Sequence, residues 1–147
     1  MDTRELAERT AIATTTLYKG DSPIAADRER LARETVEGLK SRGYQVVVVD
    51  GGSEGDFRDY VSGLGAQVLE EERGARGFGT GRRQAMKKAA ELGEFVVWME
   101  PEKAPFVPEI AKTVRPIYNG VADIVIPTRM DGLASYPTSQ RHAEHLG

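Results

Sequence analysis

The sequence of 147 residues contains no cysteine. This absence excludes a disulfide scaffold and any metal site built on thiolates, and it is compatible with a reducing compartment. No apolar run approaches the roughly 18 residues that a membrane-spanning helix needs. The first residues are charged and carry no apolar signal core. We therefore expect a cytoplasmic protein without a transmembrane segment.

The chain also lacks an excess of either charge, because Lys and Arg total 20, Asp and Glu total 23, and the net charge is -3. A nucleic-acid surface requires a strong basic excess, so we expect no nucleic-acid partner. No internal repeat or linker divides the sequence. At this length a chain buries about two-thirds of its unfolded surface, which is enough for a core. We expect a single domain over residues 1–147.

Two common nucleotide-binding signatures are missing. A dinucleotide fold places G-x-G-x-x-G in the first strand-to-helix turn, but that turn contains only Gly20. The later glycines, Gly77, Gly79 and Gly81, have the spacing G-x-G-x-G. A P-loop ends in Gly-Lys-Ser or Gly-Lys-Thr, whereas this loop continues into Arg82 and Arg83. Both signatures therefore fit the sequence poorly.

Strand and helix patterns alternate along the chain. Apolar runs predict strands at residues 11–16, 46–49, 67–70, 95–99 and 122–127. Ser22 and Pro23 mark the start of the first intervening helix and Gly43 marks its end. Further helices are predicted at 57–64, 82–92 and 107–118, the last interrupted or ended near Pro116. This order predicts an α/β fold, a three-layer α/β/α sandwich with a mainly parallel sheet.

Acidic residues follow two of the predicted strands. The run 46–49 leads into Asp50-Gly51-Gly52-Ser53, and the run 95–99, which includes Trp98 as a predicted core residue, leads into Glu100-Pro101-Glu102. Parallel sheets bind ligands beyond the carboxyl ends of their strands. The two acidic turns are therefore expected to share one site.

Several side chains have alternative interpretations. Glu100 and Glu102 offer oxygen ligands suited to Mg²⁺ or Mn²⁺, or are solvated loop residues. Asp50 is either a ligand or a turn residue. Arg82 and Arg83 open a helix, where they contact phosphate or form a solvated face.

Aromatic and C-terminal residues leave similar choices. Tyr18 stacks on a nucleobase or is an exposed loop residue, the commoner case. His142 and His145, with Glu144 between them, have a spacing that metal ligands use, but a solvated C-terminal stretch is the favoured interpretation.

Four motifs in order resemble the nucleotide-binding half of a GT-A glycosyltransferase of the family 2 type. They are Asp50-Gly51-Gly52-Ser53 after its valine run, the loop 77–82, the segment 97–102, and residues 122–129. The resemblance covers roughly residues 11–129. It implies a nucleotide-diphospho-sugar as partner, Asp50 near the nucleobase, the Gly/Arg loop near the sugar nucleotide, and Glu100 with Glu102 in place of the metal-binding Asp-x-Asp motif.

The residues at this edge, together with the resemblance, predict a substrate-binding set and a metal pair. The predicted substrate-binding residues are Thr14, Thr16, Tyr18, Asp50, Gly79, Arg82 and Arg83, and the predicted metal ligands are Glu100 and Glu102. In Glu100-Pro101-Glu102 each acid is one methylene longer than in Asp-x-Asp, and Pro101 removes a backbone donor. No catalytic base is predicted, because the chain ends where the family supplies its acceptor-binding half.

The leading functional hypothesis is transfer of the sugar to an unknown acceptor. The alternative is a non-catalytic nucleotide-binding or assembly module with the same fold. A sugar-phosphate nucleotidyltransferase is weaker, because its glycine-rich, Arg-containing first loop is absent after Ala13. The predicted strand 122–127 needs covering, and the polar stretch after it has few apolar residues, so we expect self-association as a homodimer.

Overall fold

The computed structural model describes residues 2–72 and 79–127. In chain order the helices and strands are α1 (Thr3–Glu8), β1 (Thr10–Thr16), α2 (Pro23–Ser41), β2 (Gln45–Asp50), α3 (Phe57–Gly63), β3 (Gln67–Glu70), α4 (Thr80–Leu92), β4 (Phe95–Trp98), a 3₁₀ helix (Ala104–Glu109) and α5 (Ile110–Tyr118). The short α1 has no counterpart among the sequence-based predictions.

The sheet is parallel, with strand order β3-β2-β1-β4. Thr16 at the end of β1 pairs with Asp50 at the end of β2, and Asp50 pairs with Glu70 at the end of β3. The carboxyl ends therefore share one edge. The predicted α/β fold with a mainly parallel sheet is confirmed.

Helices cover both faces of the sheet, and the two faces differ in side-chain size. On one face, small residues of β1 such as Ala11 and Ala13 pack with Ala85 and Ala89 of α4. The other face carries a larger core that includes Leu39 of α2, Phe57 of α3 and Ile110 of α5. Each large side chain buried there contributes about 1.5–3 kcal/mol of transfer free energy. The three-layer arrangement is confirmed.

Local signals set the bounds of α2. The Ser22 Oγ accepts a hydrogen bond from the Ala25 amide at 3.1 Å, and Pro23 occupies the first turn, where its missing N–H costs nothing. Gly43 follows the helix with φ +95°, a conformation that disfavours a side chain. Both predicted ends of this helix are confirmed.

The C-terminal elements correct two predictions. Residues 122–127 were predicted as a strand, but the structure assigns no strand to them. The amides of Val121 and Ala122 instead donate to the Pro116 carbonyl, at 2.9 and 3.2 Å, which ties the start of the segment to α5. Strand propensity alone does not supply a backbone partner. Pro116 also does not end α5, which continues to Tyr118.

The chain after α5 leaves apolar side chains exposed to solvent. Val121, Ile124 and Ile126 are 79–81% exposed. The predicted homodimer stays a prediction, because nothing in the structure shows what covers these side chains.

Candidate functional site

A cavity of about 630 Å³ lies at the carboxyl ends of the strands. Its polar and aromatic lining includes Thr15, Thr16, Arg28, Glu71, Arg82 and Trp98, with backbone contributed by Gly51, Gly79 and Gly81. The volume falls within the roughly 300–1,000 Å³ typical of small-molecule sites. Of the predicted substrate-binding residues, Thr16, Gly79 and Arg82 line it.

Asp50 lies beside this cavity but is buried, with 1% of its surface exposed. One carboxylate oxygen accepts the Gly52 and Ser53 amides at 2.9 and 2.7 Å. The other accepts the Thr16 and Ser53 hydroxyls at 2.7 and 2.5 Å. An ionised carboxylate has about four lone-pair sites, so these four bonds use its acceptor capacity. The predicted contact between Asp50 and a nucleobase stays a prediction.

The same bonds control the ionisation of Asp50. Burial by itself would raise the pKa of this carboxyl, but the hydrogen bonds from Ser53, Thr16 and Gly52 outweigh it and hold the pKa below its ordinary value of 3.8. Arg58 adds a weaker attraction, with its Nε 3.9 Å from the carboxylate. Asp50 is therefore an anion that braces the loop after β2.

Tyr18 connects this loop with the loop after β4. The Tyr18 amide donates to the Ser53 Oγ at 2.9 Å, and its hydroxyl donates to the Glu102 Oε1 at 3.0 Å. The ring packs edge-on against Phe57. Tyr18 is only 5% exposed, so the expectation of an exposed loop tyrosine is wrong. Burial, followed by the Glu102 charge, raises the pKa of Tyr18 well above its ordinary range.

Glu102 also holds Arg28 of α2. The Arg28 Nε and Nη2 lie 3.1 and 3.0 Å from the Glu102 Oε1. The Glu102 side chain is 19% exposed. Arg28 lines the cavity, whereas Glu102 does not. Sequence reasoning missed Arg28, because a charged residue in an exposed helix gives no local signal of its long-range partner.

The predicted metal pair does not form a prepared metal site. Glu102 already bonds Tyr18 and the cation Arg28, while the Glu100 side chain is 66% exposed and lies 3.6 Å from the Lys103 ammonium. Within the described residues, no group of three or more His, Cys, Asp or Glu side chains is placed to hold a metal ion. The two carboxylates are instead engaged by Arg28, Tyr18 and Lys103, so they are not arranged as a prepared Mg²⁺ or Mn²⁺ pair, and the metal assignment stays a prediction.

The two arginines at the start of α4 point to different surfaces. The Arg82 guanidinium lies over the Trp98 ring, 4.4 Å from its centroid, and lines the cavity. Trp98 thereby serves both the core and the cavity, since it is partly buried and packs with the α4 face of the sheet. Arg83 lines a separate depression with Gln84 and Lys87. Of the two, only Arg82 joins the predicted site.

Glu71 is a second cavity residue that sequence reasoning missed. It follows β3 directly, so the pattern of an acid after a strand was available to find it. A Cβ built on Gly51 would lie 3.2 Å from one Glu71 carboxylate oxygen, and a Cβ on Gly81 would lie 3.0 Å from the other. The carboxylate therefore rests between two glycine backbones. Gly51 and Gly81 leave the room that it occupies.

Two remaining predictions lie elsewhere. Thr14 is 2% exposed and lies outside the cavity lining, and its Oγ1 has no hydrogen-bond partner among the described residues. His142, Glu144 and His145 lie outside the residues that the structure describes.

The chain is thus an α/β protein with a polar cavity at the carboxyl edge of a parallel sheet, which is where such sheets bind their ligands. The model of the glycosyl transferase family 2 matches residues 24–145, so the chain belongs to that family. No curated protein matches the sequence significantly. Within the described parts of the chain, no helix is long and apolar enough to cross a bilayer.

Solved structures confirm the GT-A fold. Glucosyl-3-phosphoglycerate synthase from Mycobacterium tuberculosis gives a TM-score of 0.57 at 17% identity, over 80% of this chain and 43% of that chain. The same enzyme with Mn²⁺, UDP-glucose and phosphoglyceric acid gives 0.55 at 17%, over 80% and 42%. A mycobacterial protein gives 0.57 at 18%, over 80% and 39%. The chain spans about two-fifths of the length of each.

Proposed function

We propose that this domain binds a nucleotide-diphospho-sugar in the cavity at the carboxyl edge and transfers the sugar to an acceptor. The cavity itself is the observation that carries the proposal, because it combines two guanidinium groups, one carboxylate and open glycine backbone. Guanidinium groups match phosphate oxygens in charge and geometry. Membership of the glycosyl transferase family 2 supports sugar transfer as the reaction.

Each polar side chain in or beside the cavity has a separate proposed role in binding the nucleotide. Arg82 and Arg28 bind the diphosphate. Glu71, beside Gly51, accepts hydrogen bonds from the ribose or from a ring N–H of the base. Asp50, with its acceptor sites occupied, shapes the loop that frames the base. Structures of the glucosyl-3-phosphoglycerate synthase contain UDP or UDP-glucose, so uridine is the first base to test.

Calorimetric titration of the full chain with UDP, GDP, ADP and CDP tests nucleotide binding. Arg82→Ala should lower the affinity about tenfold or more, because a charge-assisted phosphate contact contributes about 1.5–3 kcal/mol. Arg83→Ala is the matched comparison on the same helix and should bind as wild type. An equal loss in both variants would place the phosphate outside this cavity.

Glu71→Gln tests the proposed base and ribose contact in the same titrations. The affinities for the four nucleoside diphosphates should converge, since glutamine offers a weaker acceptor and an added donor. Retention of the wild-type ranking would remove Glu71 from base recognition.

A non-catalytic nucleotide-binding or assembly module is the competing proposal. The exposed Val121, Ile124 and Ile126 side chains favour it, because assembly would cover them. Release of UDP from UDP-sugars, with and without candidate acceptors, separates the two. Nucleotide binding without any turnover would favour the module.

A further inference from the structure

We propose that the charge on the donor diphosphate is neutralised by Arg28 and Arg82, with Arg28 held by Glu102, and that nucleotide binding by this chain needs no divalent ion. The inference rests on the proposed function. It gives Glu102 the task of a positioning residue and assigns the electrostatic task of a metal to the two arginines.

The bonding of Glu102 is the first step. Its Oε1 accepts hydrogen bonds from the Tyr18 hydroxyl at 3.0 Å and from the Arg28 Nε at 3.1 Å, and the Arg28 Nη2 lies 3.0 Å away as an ion pair. Tyr18 is itself anchored, through its amide on Ser53 and its ring on Phe57. The buried Tyr18 side chain thus holds the Glu102 carboxylate in place. A carboxylate that is fixed and mostly buried can hold a long arginine side chain in one place.

The remaining donors of Arg28 are the second step. A guanidinium carries five N–H groups in a rigid plane. Arg28 directs Nε and Nη2 at Glu102, so its Nη1 donors stay available to an anion in the cavity that this side chain lines. The Arg28 guanidinium also lies 6.0 Å from the centre of the Tyr18 ring.

Arg82 supplies the other positive group. Its guanidinium stacks on Trp98 and makes no ion pair with any of the described residues. Stacking on an aromatic face limits the positions of the side chain without neutralising its charge. The cavity therefore holds one arginine positioned by a carboxylate and one positioned by an indole ring.

Competition for Glu102 is the last step. A divalent ion on Glu102 would lie close to the Arg28 guanidinium, and like charges at that separation repel. The ion would also have to share or displace the Arg28 and Tyr18 bonds. Glu100, the other predicted ligand, lies mostly in solvent beside Lys103. The geometry favours the arginine over the metal at this carboxylate.

Calorimetric titration of the metal-stripped full chain with UDP tests the inference, in EDTA and then in Mn²⁺ or Mg²⁺. The affinity should agree within about twofold across the three conditions. Arg28→Ala should lower it about tenfold or more in each, and Arg28→Lys should restore part of the loss because it keeps the charge. Arg30→Ala is the matched control, since Arg30 lies on the same helix with 58% of its side chain exposed, against 59% for Arg28.

The outcomes separate the two proposals. Binding that appears only with Mn²⁺ or Mg²⁺, and that survives Arg28→Ala, would overturn the inference while the proposed function stands. No binding of any nucleoside diphosphate by wild type, in any condition, would overturn both. Thermal melting of each variant accompanies the titrations, and a wild-type melting temperature for Arg28→Ala would assign its loss of affinity to the cavity.

Discussion

The loops after β2 and β4 carry acids at the same edge of one sheet, yet they use them differently. Asp50 is 1% exposed and accepts four hydrogen bonds, three from the loop that follows it and one from the last residue of β1. Glu100 is two-thirds exposed, and Glu102 reaches back to hold Arg28. A carboxylate saturated by the chain supports the fold, whereas one that holds a cationic side chain positions that side chain at the cavity.

The difference follows from reach. Asp50 has a short side chain at the end of a central strand, so neighbouring amides and hydroxyls meet it at once. Glu102 has one more methylene and stands four positions beyond β4, where it contacts residues from β1's following loop and from α2. Similar sequence patterns therefore have different results at the two strand ends. Asp50 braces the loop after β2, whereas Glu102 holds Arg28 of α2.

The largest loss of stability should come from replacing Asp50, which braces the loop after β2. Asp50→Ala leaves the donors of Gly52 and Ser53 without their acceptor in a buried loop, at about 1–3 kcal/mol for each unsatisfied group. We expect the free energy of unfolding to fall by about 2–4 kcal/mol, measured by urea denaturation. Glu100→Ala is the control at the other strand end and should change it by less than about 0.5 kcal/mol. Similar losses in both variants would remove the distinction.

Low pH should weaken the hydrogen bonds of Asp50 in the wild type, because it protonates the carboxylate. Because the pKa of Asp50 lies below its ordinary value of 3.8, its carboxylate stabilises the fold in full above that value and loses this contribution as pH falls through the lower pKa of the folded state. Asp50→Asn lacks this titration. The stability gap between wild type and Asp50→Asn should narrow below about pH 4, in urea titrations at several pH values. A constant gap from neutral to acid pH would contradict the assignment.

A smaller loss of stability should follow when the hydrogen bond from Tyr18 to Glu102 is removed. Tyr18→Phe keeps the ring on Phe57 but removes the hydroxyl from Glu102. The free energy of unfolding should fall by about 1.5–3 kcal/mol, the typical range for a hydrogen bond to a charged group. The affinity for UDP should also fall, by less than in Arg28→Ala. Unchanged binding together with reduced stability would limit Tyr18 to a role in the fold.

The smallest effect should come from the exposed acid. Glu100→Gln removes only a solvent-screened attraction to Lys103, which contributes about 0–1 kcal/mol. We expect unchanged stability and unchanged affinity for UDP in EDTA. A marked loss of affinity in Mn²⁺ alone would revive the predicted metal site and weaken the comparison between the two loops.

Much of the scaffold was predictable because its signals are local. The valine run of β2 indicated a strand covered on both faces, and Ser22, Pro23 and Gly43 marked the ends of α2. Parallel pairing then followed from the strand-helix alternation. The segment 122–127 shows the limit of such reasoning, because its apolar residues have strand propensity but no hydrogen-bonded neighbour in the described sheet.

The site was predictable only in outline. Asp50, Tyr18, Arg82 and Glu102 were predicted as site residues, but their tasks depend on burial and on distant partners. Thr16 lies 34 residues from Asp50, and Tyr18 lies 84 residues from Glu102. Arg28 was missed because its partner Glu102 lies 74 residues further along the chain. Arg82 and Arg83 are neighbours in sequence and face different depressions, a difference that the rotation of α4 decides.

The sequence by itself determined the α/β class, the parallel direction of the strands and the edge where the cavity lies, because periodicity, caps and strand-end residues act over a few positions. Only the tertiary structure decided which acid bonds its own loop, which acid holds an arginine, and which arginine of α4 enters the cavity. Hydrogen bonds and ion pairs between distant segments depend on distances of a few ångströms, and those distances exist only after the strands and helices have packed.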